Sequence, residues 1–264
     1  MTKKTAIITG AGTGIGAATA ELLAAQGWKV VLAGRTQKHL DAVASKINAA
    51  GGEAIAQACD VINEDDVKAL IVAAGDRLDA LIHSAGQGHC LTIDELSLEE
   101  WQQTLDVSVT GAFLTAKYAL PLMRATQEGE GHIIQIGSLA SGGTWYLEVG
   151  YGTAKGAQVK FALHLDSQMK VDAEAGGRKI NVFSICPGTT DTPFWDRIPQ
   201  REAVPELTLA ASEIAWMVGE VIKKPDTNAE ELKAIKPRDE IIIQRQAPFE
   251  RWDNVVAIKH ESHG

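Results

Sequence analysis

A chain of 264 residues suffices for one large α/β domain with a full core and is short for two. Hydrophobic residues make up 45% and charged residues 22%, the balance of a water-soluble globular protein. A net charge of -9 and a pI of about 5.3 argue against nucleic acid and acidic membrane surfaces as partners, because a phosphate backbone would have to be held against the overall field.

Short apolar runs alternate with longer amphipathic segments. The first run, Thr5–Thr9, leads directly into Thr9-Gly10-Ala11-Gly12-Thr13-Gly14-Ile15-Gly16, which opens a helix. Glycines at such a turn permit positive φ and let the backbone approach a pyrophosphate, whose charge is met by the helix N-terminus. The bland alternative is a tight strand-to-helix turn without a ligand. A second strand, Lys29–Ala33, ends in Gly34-Arg35-Thr36. An acid at this point binds the ribose 2′-hydroxyl of NAD, whereas an Arg accommodates the 2′-phosphate of NADP. Gly34 takes the place of the acid and Arg35 follows, so NADP(H) is favoured over NAD(H); a merely solvated Arg is the alternative.

Ala54–Cys59 reads as a third strand. Asn63 offers an N-cap, with Glu64, Asp65 and Asp66 as first-turn acids. After a fourth strand, Ala80–His83, Ser97-Leu98-Glu99-Glu100 is a capping box for a helix expected to run to about Ala125. His132–Ile136 is a fifth strand with Ser138 just past its end, where open α/β sheets bind ligands. Tyr151 and Lys155 lie four apart at the start of a long helix, so phenol and ammonium share one face. A nearby positive charge draws a phenol down from its ordinary pKa of about 10. Alone, such a pair is usually surface decoration, and Ser138 alone an ordinary turn serine. Ile180–Ile185 is a sixth strand, followed by Pro187-Gly188. Ser212-Glu213 opens a helix ending at Lys223-Lys224, and Glu240–Ile243 reads as a seventh strand.

This alternation predicts a Rossmann-like, doubly wound parallel sheet of about seven strands in three α/β/α layers. Residues 1–245 read as one cofactor-binding and catalytic domain, and 246–264 as a C-terminal tail. Cys59, Cys90 and Cys186 are too few and scattered for disulfides or zinc and read as small apolar fillers; no metal site is expected. With no secretory leader pattern and no membrane-spanning run, the expected location is cytoplasmic.

The glycine loop, Ser138, the Tyr151/Lys155 pair and Pro187-Gly188, in this order, resemble the compact single-domain branch of the short-chain dehydrogenase/reductase family over residues 5–245. The resemblance implies strand order 3-2-1-4-5-6-7 and an oxidoreductase acting between a carbonyl and a secondary alcohol. It makes Tyr151 the acid/base, Lys155 the group that holds the nicotinamide ribose and lowers the Tyr pKa, and Ser138 the residue orienting the substrate oxygen. Its cofactor site would comprise Gly10, Gly12, Thr13, Gly14, Ile15, Gly16 and Arg35, then Asp60 and Val61 at the adenine. Ser84, Ala85 and Gly86 would continue it, with Tyr151, Lys155, Pro187, Gly188, Thr190 and Thr192 around the nicotinamide. The helices near 98–125 and 151–175 would form the interface of a homodimer or homotetramer.

Two departures stand out. The family's Asn-Asn-Ala-Gly is His83-Ser84-Ala85-Gly86 here, with His83 read as a satisfied structural histidine. Ser108 replaces an Asn that anchors a water in the proton relay to Lys, so a cofactor-binding regulator with lost or weak catalysis is the second reading. A nucleotide-sugar epimerase or dehydratase would need a longer chain with a substrate domain. The segments Gln87–Leu91, Gly142–Gly150 and Pro193–Leu209 are expected to line a substrate pocket, with Trp145 and Phe194 touching an uncharged, moderately bulky carbonyl. The last segment reads as a lid punctuated by Pro199 and Pro205; the alternative for the aromatics is lid or subunit packing.

Overall fold

The computed structural model describes residues 3–143, 147–197 and 209–225, together with the backbone of 241–244 and 255–257. Trp145, Pro199 and Pro205 lie outside the described residues.

Six parallel strands form the centre of the sheet: β1 (Thr5–Thr9), β2 (Lys29–Gly34), β3 (Glu53–Ala58), β4 (Ala80–His83), β5 (Gly131–Ile136) and β6 (Ile180–Pro187), in the spatial order β3-β2-β1-β4-β5-β6. β7 (Thr190–Asp191) and β8 (Leu209–Ala210) make a separate short parallel pair. β9 (Ile241–Gln244) occupies the seventh position beside β6 but runs antiparallel to it. β10 (Val255–Ala257) adds an eighth, antiparallel edge strand from within the tail. The sheet is thus Rossmann-like with a mixed edge, rather than parallel throughout.

Helices α1 (Gly14–Ala25), α2 (Gln37–Ala49) and α7 (Ala211–Lys223) cover one face, and α3 (Glu64–Ala74), α5 (Gly111–Ala125) and α6 (Val149–Glu174) the other. Ile8, Leu32, Ile82 and Ile134 pack into the first layer, and Ile7, Val31, Leu81 and Ile133 into the second. Burial on both faces explains why these strands read as unbroken apolar runs. Truncating any one of these isoleucines or leucines to Ala is worth about 2–5 kcal/mol.

The helix ends follow their capping chemistry. Asn63 Oδ1 accepts from the amides of Asp65 and Asp66 at 3.0 and 3.1 Å, and three acids occupy the first turn of α3. Ser97 and Glu100 close a reciprocal capping box on α4 (Leu98–Leu105). The single helix expected from residue 98 to 125 is interrupted: Asp106–Thr110 forms a π-turn between α4 and α5. At the other chain end of the core, α7 begins at Ala211, one residue before the expected Ser212, with Glu213 Oε2 accepting from the Ala210 amide at 3.0 Å.

The N-terminal edge of the sheet is tied by Asp79. Its carboxylate is buried and accepts from Thr5 N at 2.9 Å, Arg77 Nε at 2.7 Å and Arg178 Nη2 at 3.0 Å. This network lies opposite the strand ends that carry Ser138 and Gly10, so the ion pairs brace the sheet without entering the cleft.

Candidate active site

At the C-terminal strand ends a cleft of about 570 Å³ runs from the glycine loop to Tyr151. Gly10 and Gly14 have φ of 64° and 55°, so the loop uses the left-handed region open to glycine. A Cβ on Gly16 would lie 2.3 Å from the Gly10 carbonyl oxygen; this glycine packs helix against loop rather than lining the cleft. Thr13, the N-cap of α1, makes no side-chain cap bond, and the first turn carries no acid. The cleft around Gly10, Gly12, Thr13, Gly14 and Ile15 thus has an open helix N-terminus, an arrangement that suits a pyrophosphate.

Arg35 lines the cleft at the end of β2 and is exposed, followed by Thr36 and His39. No carboxylate stands at Gly34, and the first turn of α2 has no acid, so this corner suits a further phosphate charge. Asp60, Val61, Ser84, Ala85 and Gly86 continue the wall. Thr9 Oγ1 accepts from the amides of Ser84 and Ala85 at 3.1 and 3.0 Å, joining this turn to the glycine loop.

At the far end stand Ser138, Tyr151, Lys155, Pro187, Gly188, Thr190, Thr192 and Phe194. Ser138 caps the 3-10 turn Leu139–Ser141, its Oγ accepting from Ala140 N at 3.2 Å, and its hydroxyl beside the Tyr151 phenol favours the phenolate. Burial works the other way and prevails: the phenol is pushed well above its ordinary range. Lys155 Nζ lies 5.8 Å from the Tyr151 ring centroid, and burial draws its ammonium down from 10.5 to about 8. The lysine expected to lower the phenol is therefore itself weakened as a cation by its burial.

The Tyr151 ring is seated against Gly88, where a Cβ would lie 2.4 Å from Cδ2. Phe194 is tilted against the Tyr151 ring with centroids 5.5 Å apart, and Trp195 packs edge-on against Phe194 at 5.3 Å. Trp195 Nε1 donates to the Thr190 carbonyl at 2.9 Å, and the Thr192 hydroxyl donates to the same oxygen at 3.4 Å. Trp195 and Thr192 are thus both tied to the Thr190 carbonyl.

Ser108 does not reach the cleft. It is fully buried in the π-turn with an unpartnered Oγ, while its neighbour Val107 lines the cleft. His83 is only half satisfied: Nδ1 pairs with the hydroxyls of Thr9 and Thr115 at 3.3 and 3.4 Å, and Nε2 makes no hydrogen bond of ordinary geometry, although the Val107 carbonyl favours a ring proton.

Sequence reasoning passed over Gln135 and Gln158, both fully buried, which hold Lys155 from below. The i,i+3 spacing of Lys155 and Gln158 was the available signal. Glu148, at the N-cap of α6, lines the cleft within the segment Gly142–Gly150 expected at the pocket. Cys59, Cys90 and Cys186 are buried free thiols. Among the described residues no helix is long and apolar enough to cross a membrane.

The family model described as "short chain dehydrogenase" matches residues 4–203. An uncharacterized oxidoreductase of Staphylococcus aureus is 36% identical over 195 residues, covering 73% of this chain and 80% of the relative. A crystal structure of a short chain dehydrogenase/reductase from Burkholderia phymatum in complex with NAD aligns with a TM-score of 0.76 at 28% identity, covering 84% of this chain and 86% of that one. An alcohol dehydrogenase from Thermococcus sibiricus complexed with 5-hydroxy-NADP aligns at 0.70 and 26%, covering 84% and 91%.

Proposed function

This chain belongs to the short-chain dehydrogenase/reductase family, and from that membership we propose that it is an NADP(H)-dependent oxidoreductase interconverting a carbonyl and a secondary alcohol. The observation that carries the reading is the continuity of one cleft, with the glycine loop and Arg35 at one end and Ser138 beside Tyr151 at the other.

Gly10, Gly12, Thr13, Gly14 and Ile15 cradle the pyrophosphate, with Gly16 fixing the turn beneath them. Arg35 pairs with the 2′-phosphate. Asp60 and Val61 flank the adenine, and Ser84, Ala85 and Gly86 support the ribose side. Pro187, Gly188, Thr190 and Thr192 hold the nicotinamide end, and Lys155 its ribose. The bound cofactor supplies or accepts the hydride.

In reduction Tyr151 Oη gives its proton to the substrate oxygen, which the Ser138 hydroxyl orients; in oxidation the phenolate takes that proton back. Lys155 stabilises the phenolate and lowers the barrier to that transfer. Phe194 forms an apolar wall for an uncharged, moderately bulky substrate. Leu98, Phe113 and Val171 are exposed on the helices expected to pair, in keeping with a homodimer or homotetramer.

The test is consumption of NADPH, with NADH beside it, over a panel of ketones, aldehydes and diketones, using Tyr151→Phe as the blank. Tyr151-dependent oxidation of NADPH supports the reading. A second reading, a cofactor-binding regulator of weak catalysis, is motivated by the unpartnered Ser108 hydroxyl, and cofactor binding without turnover of any carbonyl would favour it.

A further inference from the structure

Glu148 stands at the N-cap of α6, three residues before Tyr151. N-caps favour short side chains whose oxygen accepts from the first-turn amides, and Glu148 makes no such bond. Its Oε2 is buried without a hydrogen-bond partner, although the side chain lines the cleft with Ser138, Tyr151 and Phe194. Burial pushes the carboxyl above its usual range. Its charge in turn pushes the Tyr151 phenol and the Cys90 thiol up, so it opposes the ionisation Tyr151 needs.

The backbone leading into it is strained as well. Leu147, at φ 72°, is the one non-glycine residue in the left-handed region among the described residues. Such a conformation costs about 1–3 kcal/mol and persists where the surroundings demand it. An uncapped helix start, an orphaned carboxyl oxygen and a charge hostile to the neighbouring phenolate are three costs that fold stability does not explain. A ligand that donates a hydrogen bond to Oε2 offsets the last two together, since it both pairs the oxygen and screens its charge from Tyr151.

We infer that Glu148 is a substrate-binding carboxylate that accepts a hydrogen bond from a hydroxyl or amine close to the reacting carbon, so that the substrates are hydroxy- or aminocarbonyls, or the corresponding diols and amino alcohols, rather than plain ketones. The inference rests on the carbonyl–alcohol reading above and names its substrate class. Glu148 and Tyr151 are three residues apart, just under one helical turn and about 4.5 Å along the axis, which places the donor beside the carbonyl rather than at a remote end.

The experiment compares kcat/KM with NADPH for acetoin against its isostere methyl isopropyl ketone, and for aminoacetone against ethyl methyl ketone. The wild type is expected to prefer the donor-bearing member of a pair by about 10- to 100-fold, the cost of leaving a buried acceptor unpaired. In Glu148→Leu this ratio falls to near one. Glu148→Gln keeps an acceptor oxygen and loses the charge, so it retains part of the hydroxyl preference, loses the amine preference and shifts the rising, acidic limb of alcohol oxidation to lower pH. Aminoacetone or acetoin as the better substrate distinguishes amine from hydroxyl.

A ratio unchanged in Glu148→Leu overturns the inference, while turnover that vanishes in Tyr151→Phe leaves the oxidoreductase reading standing. Calorimetric titration of acetoin and aminoacetone into the enzyme with oxidised cofactor gives the complementary result. Weaker binding of either donor by Glu148→Leu, with no turnover by the wild type, keeps the carboxylate site and removes the reaction; equal binding of both by the two proteins removes the site.

Discussion

Lys155 Nζ donates to Gln158 Oε1 at 3.0 Å, and Gln158 Nε2 donates to Gln135 Oε1 at 3.0 Å. A second ammonium proton goes to the Ile136 carbonyl at 2.9 Å. Gln135 stands in register with His83 on β4 and Ser184 on β6, and His83 with Thr9 on β1, so one row of polar side chains crosses the sheet beneath the lysine. Two residues earlier, the same face is hydrocarbon: Ile7, Leu81, Ile133 and Val182. The sheet changes character where it supports Lys155.

Gln158 is therefore a positioning residue for Lys155, and Gln158→Leu removes an acceptor that stabilises the charged form. The lysine, already drawn down to about 8 by burial, should titrate lower still, by roughly one unit. Carbon-13 NMR of Cε-labelled lysine reads this directly, and the pH–rate profile should move the same way. Gln158→Glu should move both in the opposite direction. Identical titration in all three proteins would assign Gln158 to packing alone.

Ser108 permits a sharper test of the relay. Its hydroxyl is buried and unpartnered in the π-turn, and the side chain is shorter than the Asn that the family resemblance implies here. Ser108→Asn is expected to leave kcat unchanged or raise it, measured at saturating NADPH with the best ketone of the panel. A large fall would mark the serine as an adapted part of this protein's own arrangement, with the π-turn shaped around it.

What the sequence revealed follows from how locally each feature is encoded. Thr5–Thr9 and Ala80–His83 match their expected bounds because strands buried on both faces read as apolar runs. Asn63 and Ser97 announce their helices through side chains that bond within three residues. The π-turn at Asp106–Thr110 was hidden, since one extra residue in a helix leaves the apolar periodicity on both sides nearly intact. The direction of β9 was hidden too: a short run such as Ile241–Gln244 carries no mark of parallel or antiparallel pairing. Gln158 and Glu148 looked like ordinary polar positions because what distinguishes them, a buried partner in one and none in the other, exists only once α6 is laid across the sheet.

Arg35 should discriminate between cofactors. Its guanidinium is exposed at the cleft, and α2 opens without an acid or a side-chain cap. Arg35→Ala is expected to weaken NADPH binding by about 10- to 100-fold, the worth of a charge-assisted contact, and NADH binding far less. Fluorescence titration of the two reduced cofactors measures both. Equal losses would defeat the 2′-phosphate assignment.

Two buried histidines, His83 in the polar row and His132 at the start of β5, also predict how the fold responds to acid. Burial draws His83 down to about 3 and His132 to about 4, from an ordinary 6.5. Both imidazoles stay neutral in the folded protein over a range where the unfolded chain binds their protons. With more protons on the unfolded side, stability falls as pH drops from about 6.5 toward 4, each histidine contributing a limiting slope of about 1.4 kcal/mol per pH unit. Chemical denaturation across this window should show that decline, and His83→Asn should flatten it by one proton. Asn can still pair with the hydroxyls of Thr9 and Thr115, so the variant tests ionisation rather than the loss of a buried contact. An unaltered slope in His83→Asn would mean that the imidazole is protonated in the folded state, its charge held by the Val107 carbonyl against the neighbouring Lys155.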